Sequence, residues 1–201
     1  MKAAEFAAGK HRGDLRKGTE IPYLSHLWSV AALVLEHGGD DEQVMAALLH
    51  DVAEDHGGET VLAEIRIEFG EEVGRLVAGL SDSLVDTSTG EVKPPWKTRK
   101  ERYLAHLAEA DARTALVSAC DKLHNSRCIL ADLRRVGPEL WQRFSVTDPS
   151  KQLWYYDGLV AALAPPKVPD TLADELARTV RQIRTLTEHS ATEAGPATGS
   201  R

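Results

Sequence analysis

Apolar residues recur at helical spacing along nearly the whole chain, and no pair of alternating runs marks a sheet. A first helix is predicted over residues 2–11, with Phe6 and several alanines on its apolar side, followed by a glycine- and charge-rich loop from Gly13 to Pro22. A second covers residues 25–37, with Ser25 as its N-cap and Gly38-Gly39 as its stop. The third starts after Asp40 and runs to Asp55, just ahead of His56-Gly57-Gly58. Helices near 61–69 and 71–80 follow, then a loop holding Asp86 to Pro95 and a basic helix over 96–108. A long helix over 112–134, a short one near 139–144 and another over 150–163 complete the main body. Past the hinge Pro165-Pro166 to Pro169, Leu172, Leu176, Val180 and Ile183 recur at spacings of four, four and three, which marks one more amphipathic helix. The fold class is therefore all-α, a helical bundle of about ten helices. Residues 1–187 form one domain, with a core over 3–163 and a C-terminal helix over 170–187. Residues 188–201, mostly Ala, Thr, Gly and Ser with little to bury, are expected to be a disordered tail.

Composition narrows the function classes. A chain of 201 residues with 42% hydrophobic and 27% charged residues has the balance of a soluble globular domain. No apolar stretch approaches the ~20 residues needed to span a bilayer, and the N-terminus lacks a signal-peptide core. Cys120 and Cys128 sit on one predicted helix, ~12 Å apart by helical rise, too far for a disulfide. The expectation is a reduced, cytoplasmic protein with no membrane partner. A net charge of −7 argues against a broad nucleic-acid surface. Two basic segments run against that average: residues 1–17, with Lys2, Lys10, Arg12, Arg16 and Lys17, and residues 93–102, with Lys93, Lys97, Arg99, Lys100 and Arg102. Such local patches suit a small polyanion.

The chemistry concentrates at His50-Asp51, which closes the apolar run Val44 to Leu49. An imidazole beside a carboxylate at the end of a buried helix is costly unless both bind something, and a divalent cation takes a lone pair from each. His26 can face that pair. It lies twelve residues before Gly38, and His50 lies ten after Asp40. At helical rise these are ~18 Å out and ~15 Å back along antiparallel neighbours, the same level within a turn. Glu54 and Asp55 share one side of the helix end with His50 and Asp51, where their charge has the wrong sign for a C-terminal dipole. Asp121 interrupts an apolar stretch further on, with Asn125 one turn away on its face.

The residues Lys10-His11-Arg12-Gly13, Arg16-Lys17-Gly18, Pro22 to His26, Ala46 to Asp55, Phe69 to Val73 and Asp121 to Arg127 together resemble the HD-domain hydrolases of the RelA/SpoT type, above all the small stand-alone alarmone hydrolases. The match covers about residues 3–163. A lone His-Asp pair is weakly specific; the ordered series of His, His-Asp, Glu-Asp and Asp-x-Leu-x-Asn is strong. The resemblance implies an HD-domain helical bundle holding one Mn²⁺ per chain on His26, His50, Asp51 and Asp121. It also implies Glu54 and Asp55 as the catalytic acidic pair, and Asn125 as an amide positioning substrate or water. Arg16 and Lys17 match the nucleotide-holding loop, and Lys151 and Tyr155 are similar to residues that contact substrate phosphates. Leu27 stands where the family has proline, and Lys93-Pro94-Pro95-Trp96 departs from its pattern, leaving the base open.

The expected activity is metal-dependent hydrolysis of the 3′-diphosphate of (p)ppGpp-like alarmones to GDP or GTP and pyrophosphate. The partner is then a small nucleotide polyphosphate, with oligomeric state open. The alternatives are an HD-type phosphohydrolase of another nucleotide, such as a nucleoside monophosphate, ppApp or NADPH, and a non-catalytic nucleotide-binding helical module.

Overall fold

The computed structural model describes residues 1–193, which hold ten α-helices, two short 3-10 segments and one isolated bridge between Leu15 and Pro22. In order these are α1 (Lys2–Lys10), α2 (Leu24–Glu36), α3 (Asp41–Leu49), α4 (Val52–Asp55), α5 (Gly58–Phe69), α6 (Glu71–Leu80), α7 (Trp96–Glu109), α8 (Ala112–Val136), α9 (Pro149–Ala162) and α10 (Asp170–Glu193). The 3-10 segments are Thr87–Thr89 and Gly137–Arg143. The all-α expectation holds. Among the described residues no helix is long and apolar enough to cross a membrane, and Cys120 and Cys128 are both free thiols.

The long helix α8 is the axis of the fold. Asp111 caps it by accepting from the Thr114 amide, and its Ala115, Val117, Ala119, Cys120 and Leu123 are fully buried. Helices α2, α3 and α6 pack on one side of it, and α10 lies along it with α9 beside. The α2–α3 hairpin has the antiparallel turn its two glycines predict: Gly38 takes φ +80°, open to glycine at no steric cost. Asp40 then opens α3 with a capping box, accepting from the Gln43 amide while Gln43 Oε1 accepts from the Asp40 amide. Leu172, Leu176, Val180 and Ile183 are all buried, as their spacing requires. Burying each such side chain contributes ~1.5–3 kcal/mol.

The structure corrects the predicted elements at four places. The third helix is two, broken at His50-Asp51, where Asp51 flattens to ψ −9° and interrupts the hydrogen-bond register. Ser25 does not cap α2: Tyr23 ahead of it already has helical dihedrals, and the Ser25 amide donates to the Pro22 carbonyl, so Ser25 lies inside the first turn. The segment near 139–144 is a 3-10 helix. The last helix passes residue 187 and runs to Glu193, taking up the start of the expected tail; residues 194–201 lie outside the described residues. One further close approach bears on the site. Gly58, at φ +57°, lies so near the loop after α6 that a Cβ there would sit 2.1 Å from the Leu84 carbonyl oxygen.

Candidate active site

Four side chains predicted from distant parts of the chain converge. His26 comes from the first turn of α2, His50 and Asp51 from the break between α3 and α4, and Asp121 from the middle of α8. The break aims two adjacent side chains at one point, which an unbroken helix would splay by ~100°. His26 Nε2 lies 3.2 Å from Asp121 Oδ1 and 3.6 Å from Asp51 Oδ2. His50 Nε2 lies 3.0 Å from Asp51 Oδ2 and 3.7 Å from Asp121 Oδ1.

The hydrogen bonds around this cluster fix which nitrogens face it. His50 Nδ1 is 2.8 Å from the Ala47 carbonyl, which can only accept, so Nδ1 carries a proton and Nε2 is the nitrogen left to face the cluster. That Nε2 is buried and makes no hydrogen bond of its own. His26 Nδ1 is 2.8 Å from His124 Nδ1. Burial first, and His26 second, push the His124 pKa down to about 4. A neutral His124 with its proton on Nε2 accepts from His26 Nδ1, and that tautomer leaves the His26 lone pair on Nε2, facing the cluster. His50 is therefore oriented as metal-ligating histidines are, by an acceptor on its far nitrogen, and His26 has a hydrogen-bonding partner at the same position.

Charge tells the same story. Burial opposes a positive charge on His50, yet Asp51 and Asp121 overcome it and raise its pKa well above the ordinary value. Burial likewise opposes charge on Asp121, but Lys122, 2.6 Å from Oδ2, and the two histidines hold its carboxyl well below the usual range. The pocket attracts positive charge, and its two imidazoles, two carboxylates and lack of thiolate fit a divalent cation. Tyr23 donates to Asp51 Oδ2, and Asn125 Nδ2 donates to Asp121 Oδ1 at 2.6 Å.

Next to this cluster Glu54 accepts from the Asp82 amide at 3.1 Å and faces Lys93 Nζ at 3.4 Å. Burial raises its pKa, and Asp82 and Asp51 add to the rise. Asp55 keeps an exposed surface, but the protein packed behind it and then the Asp51 and Glu54 charges push its pKa up to about 7. Asp82 is itself buried; Lys100 at 2.5 Å and Arg99 offset that burial and bring its pKa down to about 2.

A cavity of about 450 Å³ opens beside these groups, lined by Arg16, Lys17, Tyr23, Glu54, Trp96, Lys100, Asn125 and Tyr155, among others. His26, His50, Asp51 and Asp121 do not line it themselves, but their neighbours Tyr23, Lys122 and Asn125 do. Arg16 donates to Asn125 Oδ1 at 3.0 Å. Trp96 and Tyr155 meet edge to face at 6.0 Å, and the Tyr155 hydroxyl is buried without a hydrogen-bond partner. Lys151 does not line the cavity. It stands about 100° round α9 from the inward Gln152 and pairs with Asp148 at 4.0 Å.

The sequence reading missed Tyr23, Lys122, His124 and Asp82 as parts of the site. His124 and Lys122 flank Asp121 within one helical turn, a signal that was present; Asp82 came near Glu54 only through the tertiary fold.

Residues 3–145 match the profile of the HD domain. The chain belongs to the HD-domain family. Its HD domain is similar to human guanosine-3′,5′-bis(diphosphate) 3′-pyrophosphohydrolase MESH1, at 35% identity over 151 residues, 74% of this chain and 76% of that one. The Danio rerio protein of the same name is 37% identical over 145 residues, 70% of this chain and 72% of that one. Among solved structures, a metazoan ortholog of SpoT that hydrolyses ppGpp superposes on this HD protein with a TM-score of 0.71 and 28% identity, over 92% of this chain and 95% of that one. Listeria monocytogenes lmo0812 superposes with a TM-score of 0.66 and 30% identity, over 82% of this chain and 99% of that one.

Proposed function

We propose that this HD-domain protein is a Mn²⁺-dependent hydrolase that removes the 3′-diphosphate of (p)ppGpp as pyrophosphate, leaving GDP or GTP. The observation that carries the reading is a His₂Asp₂ cluster whose neighbours Tyr23, Lys122 and Asn125, together with the half-buried Glu54, line a cavity that also takes in Arg16, Lys17 and Lys100. The similarity to pyrophosphohydrolases over most of the chain supports the substrate class. His26, His50, Asp51 and Asp121 would hold the ion, and their nitrogen and oxygen donors, with no thiolate among them, are compatible with Mn²⁺. When bound, the ion supplies Lewis-acid activation of water and neutralises phosphoryl charge.

The protein's own groups divide the remaining work. Glu54, whose raised pKa brings it nearer neutrality, takes the proton of the attacking water. The water oxygen bonds to the 3′-linked phosphorus, the bond to the ribose 3′ oxygen breaks, that oxygen takes up a proton to become the 3′ hydroxyl of GDP or GTP, and pyrophosphate is released. Asp55 supports the proton's onward passage, and Asn125, held between Arg16 and Asp121, orients substrate or water. Arg16 and Lys17 bind the nucleotide, Lys100 attracts distal phosphates, and Trp96 with Tyr155 offers an aromatic wall for the base. Lys151 is left without a role in this reading. The two free cysteines accord with a cytoplasmic protein.

The test is turnover by the purified, Mn²⁺-loaded protein of ppGpp, ppApp, NADPH and nucleoside monophosphates, with products identified. Release of pyrophosphate and GDP from ppGpp supports the proposal. Cleavage of the other nucleotides but not ppGpp replaces the substrate, and cleavage of none sinks the enzymatic reading.

A further inference from the structure

A second set of ligand-type side chains lies beside the first and takes no part in the chemistry above. His11 ends α1, Asp14 follows in the loop, and His56 ends α4. Three of their atoms converge. His11 Nδ1 is 3.0 Å from Asp14 Oδ2, His56 Nε2 is 2.9 Å from the same oxygen, and the two nitrogens are 3.0 Å apart.

A proton on one nitrogen can be shared among these contacts, but protons on both would face each other across 3.0 Å. A cation at the centre takes a lone pair from all three at once. Ligand atoms at Zn–N and Zn–O bond lengths stand ~3.3 Å apart in a tetrahedron, so accepting the ion needs an outward movement of only a few tenths of an ångström. The rings are already held. His11 is fully buried, stacked on Tyr23 at 4.7 Å and meeting His56 edge to face at 4.5 Å. Burial also lowers the His11 pKa, which keeps its lone pair available at neutral pH. The side chains of Asp14 and His56 are 41% and 26% exposed, so the cluster has an open side for ion access and a water ligand. The carbonyl end of α1 adds partial negative charge there.

We propose that His11, Asp14 and His56 form a second metal site, a three-ligand centre for Zn²⁺ or a chemically similar divalent transition ion. It is separate from the His26, His50, Asp51 and Asp121 centre. An ion there staples the end of α1 to the residue that follows Glu54 and Asp55, and through Tyr23 it braces Asp51. It is the weaker of the two sites. With Nδ1 on the metal, the His11 Nε2 proton is buried without an acceptor, whereas both histidines of the first centre have a hydrogen-bonding partner on the far nitrogen, the Ala47 carbonyl for His50 and His124 for His26. Supporting bonds of that kind are typically worth ~10–100-fold in affinity.

Equilibrium dialysis of the metal-free full chain against Zn²⁺, with metal counted by elemental analysis, decides the matter. Wild type is expected to bind two equivalents in two affinity classes. Asp14→Asn and His56→Gln should each lose the weaker equivalent, Asp51→Ala should lose the tighter one, and Asp51→Ala combined with His56→Gln should lose both. Co²⁺ in place of Zn²⁺ should show the visible bands of a low-coordinate ion in Asp51→Ala, and these should vanish in the double variant. One equivalent in wild type that Asp51→Ala abolishes, or two equivalents retained in both Asp14→Asn and His56→Gln, overturns the second site. Unchanged metal in Asp51→Ala alone sinks the first centre and leaves the second standing. Circular dichroism establishes that each variant folds, and Asp14→Asn, which keeps the side-chain shape, carries the test should His56→Gln unfold.

Discussion

Lys93 holds Glu54 at two points: its ammonium lies 3.2 Å from the Glu54 carbonyl oxygen and 3.4 Å from Oε1. The lysine belongs to the Lys93-Pro94-Pro95-Trp96 segment that departs from the family pattern, and its charge draws the Glu54 pKa down against the rise caused by burial. Replacing Lys93 with Met removes that restraint, so the Glu54 pKa climbs further. The acid limb of the kcat/KM profile should then move to higher pH by about one unit, the low end for a charge at this distance. An unmoved limb in the pH profile would separate Glu54 from the rate-controlling proton.

Glu54→Gln keeps the side-chain shape and should keep the metal. Loss of the proton-accepting group is expected to lower kcat by ~10²–10⁴-fold. Parallel metal analysis and turnover measurement check this, and a drop under about tenfold would assign proton transfer elsewhere.

Asp51→Ala removes a carboxylate that faces both ligand imidazoles, Oδ2 lying 3.0 Å from His50 Nε2 and 3.6 Å from His26 Nε2. The variant should lose the tight Mn²⁺ equivalent and all turnover. Elemental analysis with undiminished Mn²⁺ contradicts the assignment.

Arg16→Ala should mainly raise KM, because the guanidinium lines the cavity and reaches the metal cluster only at one remove, through Asn125 and the Tyr23 ring. Steady-state kinetics on ppGpp separate this from a fall in kcat alone, which would make Arg16 a transition-state group instead of a binding one.

Asp40 and Ser25 test how local sequence signals translate into stability. Asp40→Ala should cost ~0.5–2 kcal/mol, while Ser25→Ala should be close to neutral, since only Asp40 accepts from its helix's first turn. The Gln43 amide first, then Arg113, hold the Asp40 pKa below the usual range. Its charged form is therefore the stabilising one: the contribution is present above the unfolded carboxylate pKa and fades as pH falls through the folded value. Urea melts at neutral and acid pH check both the ranking and its loss on acidification.

Helix positions were legible because burial in this fold follows the 3.6-residue period, as α10 demonstrates with four regularly spaced buried side chains. The pairing of His26 with His50 was legible too, because two glycines fix an antiparallel hairpin and rise per residue sets the level. The break at His50-Asp51 was not. His50 keeps right-handed helical dihedrals and only Asp51 flattens, so the apolar pattern runs across the turn without a mark. Asp121 entered by family resemblance, since an aspartate among apolar neighbours does not reveal its partners. Lys151 stands outside the cavity lining because a one-residue step on α9 turns a side chain from cavity to solvent, finer than a motif match resolves. The ring of groups around Glu54, from Asp82, Lys93 and Lys100, comes from loop geometry that no periodicity encodes.

The contact between Gly58 and the Leu84 carbonyl gives that loop its tolerance. Leu84 lies two residues beyond Asp82, whose amide serves Glu54, and Gly58 lies four residues beyond Glu54 itself. The proton acceptor and its amide donor are thus fixed at a backbone-to-backbone seam that has clearance for a hydrogen atom and nothing larger. Position 58 touches neither metal ligand nor cavity wall, yet even alanine there would drive the seam apart and swing Asp82 away from the glutamate. The site's alignment is set in part by an absent methyl group.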